Sequence, residues 1–298
     1  MTDVTILTDR RYYLPKKITP YIRNILDESN LLKDALEQCG LTVERTYWDN
    51  PDYNWSQTRA VVFRTVWDYF ERIDEFREWL VKVNSKTKLI NSLNLVEWNI
   101  DKHYLRDLKG NGIDIVPTVF VDSGSYRSLV NVCAETGWKH IVIKPAVSGA
   151  AFHTYKITKE EIPTRETLFK KLVSERDMLV QPFISTIPDR GEASLMVFNG
   201  EYTHAILKKA KPGDFRVQDD FGGTVHPYTP TKSEIEFANS VFAACDELPA
   251  YGRADIVWDE AGNHLLSELE IIEPELWIRN HPPAAVPFAE GIKRRLES

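Results

Sequence analysis

The stretch RADIVWDEAGNHLLSELEII, residues 253–272, holds two alternating runs, Arg253 to Trp258 and His264 to Ile272, around the turn residues Asp259 to Asn263. Period-two alternation flanking a turn predicts a β-hairpin. Pairing Asp259 with His264 sets Asp255 opposite Glu268 and Arg253 opposite Glu270. Opposed residues share a face, so Asp255, Glu268 and Glu270 line one side, and Ala254, Ile256, Trp258, Leu265, Leu269 and Ile271 the other. Bare carboxylates about 4 Å apart repel by roughly 4 kcal/mol at an effective dielectric of 20, so the acidic face calls for cations or protons. Oxygen ligands without His or Cys favour Mg²⁺. The same spacing also suits a hairpin whose outer face is merely acidic and solvated, and other segments must decide between the two.

Upstream, Lys144 ends the apolar strand Ile141 to Ile143 and precedes Pro145 and the small-residue run Ala146 to Ala151. A lysine there can face phosphates while the flexible loop brings backbone N–H groups close; it also fits a lysine leaving a buried strand at the surface. Lys102 sits in a helical pattern with an apolar stripe, around Val96 to Leu108. Alone it reads as an exposed helix charge. Val180-Gln-Pro-Phe-Ile184 reads as a strand in which Pro182 cannot donate a ladder bond, which places it at an edge or a hinge. Asn199-Gly200 between the runs Ala193 to Phe198 and Tyr202 to Leu207 is a type I′ hairpin signal. The polar segment Lys208 to Pro227 is irregular and long enough for a lid.

The first third alternates strands (Val4 to Thr8, Leu41 to Trp48, Ala60 to Thr65, Lys88 to Asn91) with helical patterns (Tyr21 to Gln38, Ile73 to Val83). That pattern predicts an open α/β domain with ligands beyond the carboxyl ends of its strands. We expect three units, 1–112, 113–186 and 187–298. The 298 residues are 43% hydrophobic, enough for a large core, and the net charge of −7 without a basic run argues against nucleic acid. Cys39, Cys133 and Cys245 form no CxxC pattern, so reduced thiols are expected. No stretch reaches the roughly 18 apolar residues of a membrane helix, and the cytoplasm is the expected compartment.

Taken in order, Lys102, Ile143-Lys-Pro, the small-residue loop, Val180-Gln-Pro-Phe-Ile184, Gly191-Glu192, Asp214-Phe-Arg216 with Gly222-Gly223, Asp255 and Ser267-Glu-Leu-Glu270 resemble the ATP-grasp superfamily, in its glutathione synthetase-like branch. The match spans about Lys102 to Pro274, and neither a G-x-x-x-x-G-K-[ST] loop nor a G-x-G-x-x-G fingerprint is present. The resemblance implies an α/β (α+β) ATP-grasp fold behind an N-terminal α/β domain. It implies ATP and Mg²⁺ as cofactors, with Lys102, Lys144 and the Ser148-Gly149-Ala150 loop at the phosphates. Adenine would lie against Gln181, Phe183 and Ile184, and Glu192 would contact the ribose. Asp255, Glu268 and Glu270 become metal ligands, and Lys208, Arg216 and Arg253 the catalytic cations. Many relatives have Asn where Glu270 stands.

A narrower similarity lies in Phe63-Arg-Thr-Val-Trp-Asp-Tyr69, Val96-Glu-Trp-Asn99 and Pro117-Thr118, which look like a bacterial subgroup that includes the cyclo-ligase making D-cycloserine from O-ureido-D-serine. It suggests Arg64, Trp67, Asp68 and Tyr69 as substrate contacts, with Arg64, Arg216 and Arg253 forming a carboxylate pocket; packing is the plain reading of Trp67 and Tyr69. The implied reaction joins small-molecule carboxylate and amine substrates, or closes a ring, through an acyl phosphate. A kinase on the same fold and a non-catalytic ATP-binding protein are the alternatives. A homodimer is compatible with all three.

Overall fold

A computed structural model describes residues 1–149, 151–211 and 222–297. The chain builds three sheets in sequence order. The first is parallel, β2-β1-β3-β4, from β1 (Thr2–Thr8), β2 (Val43–Tyr47), β3 (Thr58–Thr65) and β4 (Lys88–Ile90). Its helices are α1 (Arg10–Tyr13), α2 (Pro20–Gln38) and α3 (Ile73–Asn84). α2 starts where Thr19 Oγ1 accepts from the Ile22 N–H at 3.2 Å and Pro20 presets the first turn. It ends at Cys39, before Gly40 with φ +83°.

The pattern read as one helix around Val96 to Leu108 is two, α4 (Leu93–Ile100) and α5 (Tyr104–Gly110). Asp101 is extended, φ −108° and ψ 120°, and its carboxylate accepts from the His103 N–H at 2.9 Å. This is the competition with the helix that Asp side chains offer. The break frees the Lys102 N–H for Ala146 O at 2.9 Å, tying the residue to the second sheet.

That sheet is antiparallel, β5-β8-β6-β7, from β5 (Val119–Val121), β6 (Ile141–Pro145), β7 (Tyr155–Ile157) and β8 (Met178–Pro182), with α6 (Leu129–Thr136) and α7 (Ile162–Glu175) packed together on it. β8 is internal, not an edge. Pro182 is tolerated because it is the last residue of β8, beyond the Val119–Val180 pair where β5 stops.

After α8 (Ile187–Arg190), the third sheet is antiparallel, β11-β10-β9-β12-β13: β9 (Glu192–Phe198), β10 (Glu201–Lys209), β11 (Thr224–Tyr228), β12 (Tyr251–Trp258) and β13 (His264–Glu270). Asn199 and Gly200 carry the positive φ angles, 54° and 85°, that a type I′ turn needs. The segment read as irregular from Lys208 to Pro227 has strand at both ends, Lys208 pairing with Val225; its middle, 212–221, lies outside the described residues, and the lid expectation with it. α9 (Lys232–Ala243) begins with a Thr231–Glu234 capping box. The C-terminal α10 (Ala285–Glu297) packs against α2 of the first unit. One apolar cluster therefore joins Val4, Leu32 and Val62 to Phe198, Tyr251 and Phe288.

Candidate active site

All eight residues of β12 are buried between β9 and β13, so Arg253 and Asp255 must be compensated inside the protein or by what fills the space beside them. The pairs Arg253–Glu270 and Asp255–Glu268 form as expected. The turn does not: Trp258, not Asp259, pairs with His264, and a bulge at the Asp255/Ile256 step restores the register. On β13 the bulge also exchanges faces beyond it: Leu266 enters the core in place of Leu265, while β12 keeps its alternation, Ile256 and Trp258 in the core and Val257 on the cleft side with Asp255.

Asp255 is saturated. Its Oδ1 accepts from Ser194 Oγ at 2.5 Å and Arg253 Nε at 2.9 Å, and its Oδ2 from Arg253 Nη2 at 2.8 Å and Lys208 Nζ at 3.0 Å. Four donors fill a carboxylate's capacity. Burial pushes Asp255 up, but Arg253 and Lys208 outweigh it and hold the group well below the usual carboxylate range. Lys208 Nζ also lies 2.5 Å from Glu192; burial alone would lower this lysine, and Asp255 and Glu192 raise it.

The partners on β13 are less committed. Glu268 meets Lys102 Nζ at 3.2 Å, and Glu270 meets Arg253. Against the push of burial, Lys102 and Lys144 hold Glu268 low. Burial first, with Glu268 and Asp255 adding, pushes Glu270 up to about 7 despite Arg253. Oxygens of Asp255, Glu268 and Glu270 all lie within 4.8 Å of one another. Three hard oxygen donors this close, with Glu270 still raised by its neighbours, fit a divalent cation such as Mg²⁺, although Asp255 would have to surrender a protein donor to ligate it.

These groups open on a cleft of about 460 Å³. Lys102 enters it from the α4–α5 break, donating to Ser148 O at 2.7 Å and Ser148 Oγ at 3.3 Å. Lys144, at the end of β6, faces Glu268; burial pushes its pKa down, with Glu268 opposing. On the same walls lie Gly149, Glu192, Gln181, which donates to Thr118 Oγ1 at 2.9 Å, Ile184, and Phe183 with Lys156 Nζ 3.6 Å above its ring. Trp67 and Tyr69 line the cleft as well. The fold thus gathers most of the sequence-selected residues from three sheets into one space.

Arg64 and Asp68 stand apart. Arg64, 3% exposed, donates to Pro274 O at 3.1 Å and faces Glu28 at 3.8 Å, behind the cleft wall. Asp68 accepts from Trp48 Nε1 at 2.8 Å and Arg72 Nη1 at 3.1 Å. Neither lines the cleft, so the three-arginine pocket does not form with Arg64. Ala150 and Arg216 lie outside the described residues. Sequence reading missed Glu273, Glu275, Tyr12, Tyr21 and Trp277, all on the cleft wall. The carboxylate run 268, 270, 273, 275 was a signal, but it falls out of strand phase after Glu270, where β13 ends.

Comparison with known proteins decides the family. The chain is 30% identical to the cycloserine biosynthesis protein DcsG of Streptomyces lavendulae over 286 residues, 89% of this chain and 93% of that protein. The chain belongs to the ATP-grasp ligases, in the DcsG group. Residues 4–91 match the family model described as the N-terminal domain of D-cycloserine synthetase DcsG. The crystal structure of D-cycloserine synthetase DcsG superposes with a TM-score of 0.84 at 27% identity, over 98% of this chain and 99% of that one. D-alanine–D-alanine ligase from Bacillus anthracis shares the fold, with a TM-score of 0.67 at 12% identity over 99% and 97%. The ATP-grasp ligase is thus an enzyme that couples ATP to ligation, and no helix of its described residues is long and apolar enough to cross a membrane.

Proposed function

We propose that this ligase converts a substrate carboxylate to an acyl phosphate with Mg·ATP and passes the acyl group to a nitrogen nucleophile, in a second molecule or the same one. The carboxylate belongs to an amino acid, a small peptide or a related metabolite. One observation carries the reading: a carboxylate cluster, Asp255, Glu268 and Glu270, meets Lys102 and Lys144 on the wall of a cleft large enough for a nucleotide and a small substrate.

Attack of a carboxylate on a triphosphate brings like charges together, so neutralisation is the main catalytic requirement. Lys102, Lys144 and the Ser148-Gly149 turn take the phosphates, Gln181, Phe183 and Ile184 the base, and Glu192 the ribose side. Mg²⁺ held by Glu268 and Glu270, with Asp255 behind them, supplies the remaining positive charge when bound. Arg253 and Lys208 orient the reacting carboxylate while keeping Asp255 ionised. Trp67 and Tyr69 wall the substrate end and exclude water from the acyl phosphate.

The test uses O-ureido-D-serine, amino acids and dipeptides labelled with ¹⁸O in the carboxyl group, with mass spectrometry of the released phosphate. Transfer of one labelled oxygen to phosphate is expected. Turnover giving only unlabelled phosphate overturns the acyl-phosphate step and favours hydroxyl phosphorylation.

A further inference from the structure

Beyond β13 the chain runs without regular structure, yet it is pinned at every step. Six consecutive carbonyls each accept from a different side chain. Asn91 Nδ2 reaches Ile271 O at 2.7 Å, Tyr251 OH reaches Ile272 O at 2.8 Å, and Trp67 Nε1 reaches Glu273 O at 2.9 Å. Arg64 Nη1 reaches Pro274 O at 3.1 Å, Arg253 Nη1 reaches Glu275 O at 3.2 Å, and His204 Nε2 donates to Leu276 O at 2.7 Å. Such outer support holds a side chain in one working position. Two of the segment's side chains, Glu273 and Glu275, line the cleft, and Glu273 stands three residues past Glu270.

Glu273 differs from its neighbours. Of the cleft carboxylates that are buried or half-buried, Glu192 pairs with Lys208, Asp255 with Lys208 and Arg253, Glu268 with Lys102, Glu270 with Arg253 and Glu275 with Arg279. Among the described residues no lysine or arginine comes within ion-pair distance of Glu273; Lys102 acts on it only from farther off, and the Tyr69 hydroxyl lies near it. It is not in the metal-competent group either. A half-buried carboxylate on a rigid support, without a cation of its own, is arranged for a proton or cation that arrives with the substrate.

We propose that Glu273, held by the pinned segment 271–276, is the base that takes the proton from the nitrogen nucleophile in the second half of the reaction. The assignment rests on the acyl-phosphate reading above. One proton of the nucleophile's ammonium group passes to the Glu273 carboxylate, and the freed lone pair forms the C–N bond. The bond from the acyl carbon to the phosphate oxygen breaks, its electron pair leaving on that oxygen, and the departing phosphate takes the second nitrogen proton. Acyl-phosphate formation itself does not use Glu273.

The experiment separates the two halves. Wild type, Glu273→Gln and Glu273→Asp are assayed with ATP, Mg²⁺ and a panel of amino acids and dipeptides, with and without hydroxylamine. Hydroxylamine, uncharged at neutral pH, captures the acyl phosphate without a base, and the hydroxamate is read as its ferric complex; amide or ring product is read by mass. We expect Glu273→Gln to keep hydroxamate formation within about threefold while ligation falls about 10²–10⁴-fold, the usual scale of general-base catalysis. Glu273→Asp should recover part of the loss. Parallel loss of both products, or loss of neither, overturns the assignment and leaves the acyl phosphate standing. Absence of hydroxamate from wild type with every carboxylate overturns both.

Discussion

Two buried charge clusters lie on opposite sides of the segment 271–276. Behind it, Glu28 meets Arg64 at 3.8 Å and Arg279 at 3.1 Å, around a cavity of about 10 Å³. In front, Asp255, Glu268 and Glu270 meet Lys102, Lys208 and Arg253 beside about 460 Å³ of open cleft. Residue types and burial are alike. Balance and space differ: the rear cluster sets two guanidiniums, Arg64 and Arg279, against two carboxylates, Glu28 and Glu275, with no room for a ligand, whereas the front cluster packs carboxylates closely enough to raise Glu270. A buried ionic cluster becomes a site when its charge is left for a ligand to complete.

The sharpest break between the clusters is turnover. Glu268→Gln and Glu270→Gln should lower the rate of phosphate release by about 10³-fold or more, the scale of about 4 kcal/mol of transition-state stabilisation. Both variants should keep the wild-type circular dichroism; Glu270→Gln removes charge from a crowded set and should melt near wild type, whereas Glu268→Gln also takes the ion-pair partner from Lys102 and should melt somewhat earlier. A variant that melts early but turns over normally would make that residue structural, like Glu28.

Arg64→Met should do the reverse. It leaves Glu28 with Arg279 alone and strips Pro274 O of its donor, at about 3 kcal/mol by the rule for halving a buried ion pair. Denaturant unfolding measures the loss, and calorimetric ATP affinity of the folded variant should be unchanged. A large drop in affinity would return Arg64 to the substrate pocket where sequence reading put it.

Stability against pH sharpens the comparison next. Glu270 and Glu273 titrate in the folded protein at about 7 and about 8, raised from 4.5 by burial first and by neighbouring carboxylates second. A raised acid binds more protons folded than unfolded. Its stabilisation is therefore complete below about pH 4.5 and is lost as pH rises through 7 to 8. Unfolding free energy without Mg²⁺ should fall by several kcal/mol between pH 5 and 8.5, at about 1.4 kcal/mol per pH unit for each group until its folded value is passed, the fall shrinking in Glu270→Gln and with Mg·ADP. A flat profile in metal-free protein would mean that the front cluster is as balanced as the rear one.

Much of the front cluster was legible in sequence because strand alternation is a rigid rule: placing Arg253 and Asp255 opposite Glu270 and Glu268 needed only the hairpin. The turn was misread by one residue and the bulge cancelled the error, which pattern counting cannot foresee. Periodicity alone makes Lys102 a helix charge, and only the family resemblance puts it at the phosphates, because the Asp101 break depends on a local side-chain bond. Arg64 illegibly resembled a ligand-binding arginine, since its true partners, Glu28 and Pro274, are 36 and 210 residues away. Glu273 went unread for a different reason: outside a strand, no periodicity says which way a side chain points.

The smallest expected effect joins the two clusters. Trp67→Phe keeps the aromatic wall with Tyr12 and Tyr21 but removes the Nε1–H that holds Glu273 O at 2.9 Å. One buried neutral hydrogen bond contributes about 1 kcal/mol, and the five other pinned carbonyls keep the segment in place. Unfolding free energy should therefore drop by about 1 kcal/mol, and ATP affinity should hold. Ligation should fall several-fold, because a base displaced by a few tenths of an ångström loses alignment before it loses its charge. Hydroxamate formation, which bypasses that base, should be spared. If Trp67→Phe instead weakens both products equally, Trp67 acts on the carboxylate substrate directly and the segment 271–276 does not carry positioning from the rear cluster to the front.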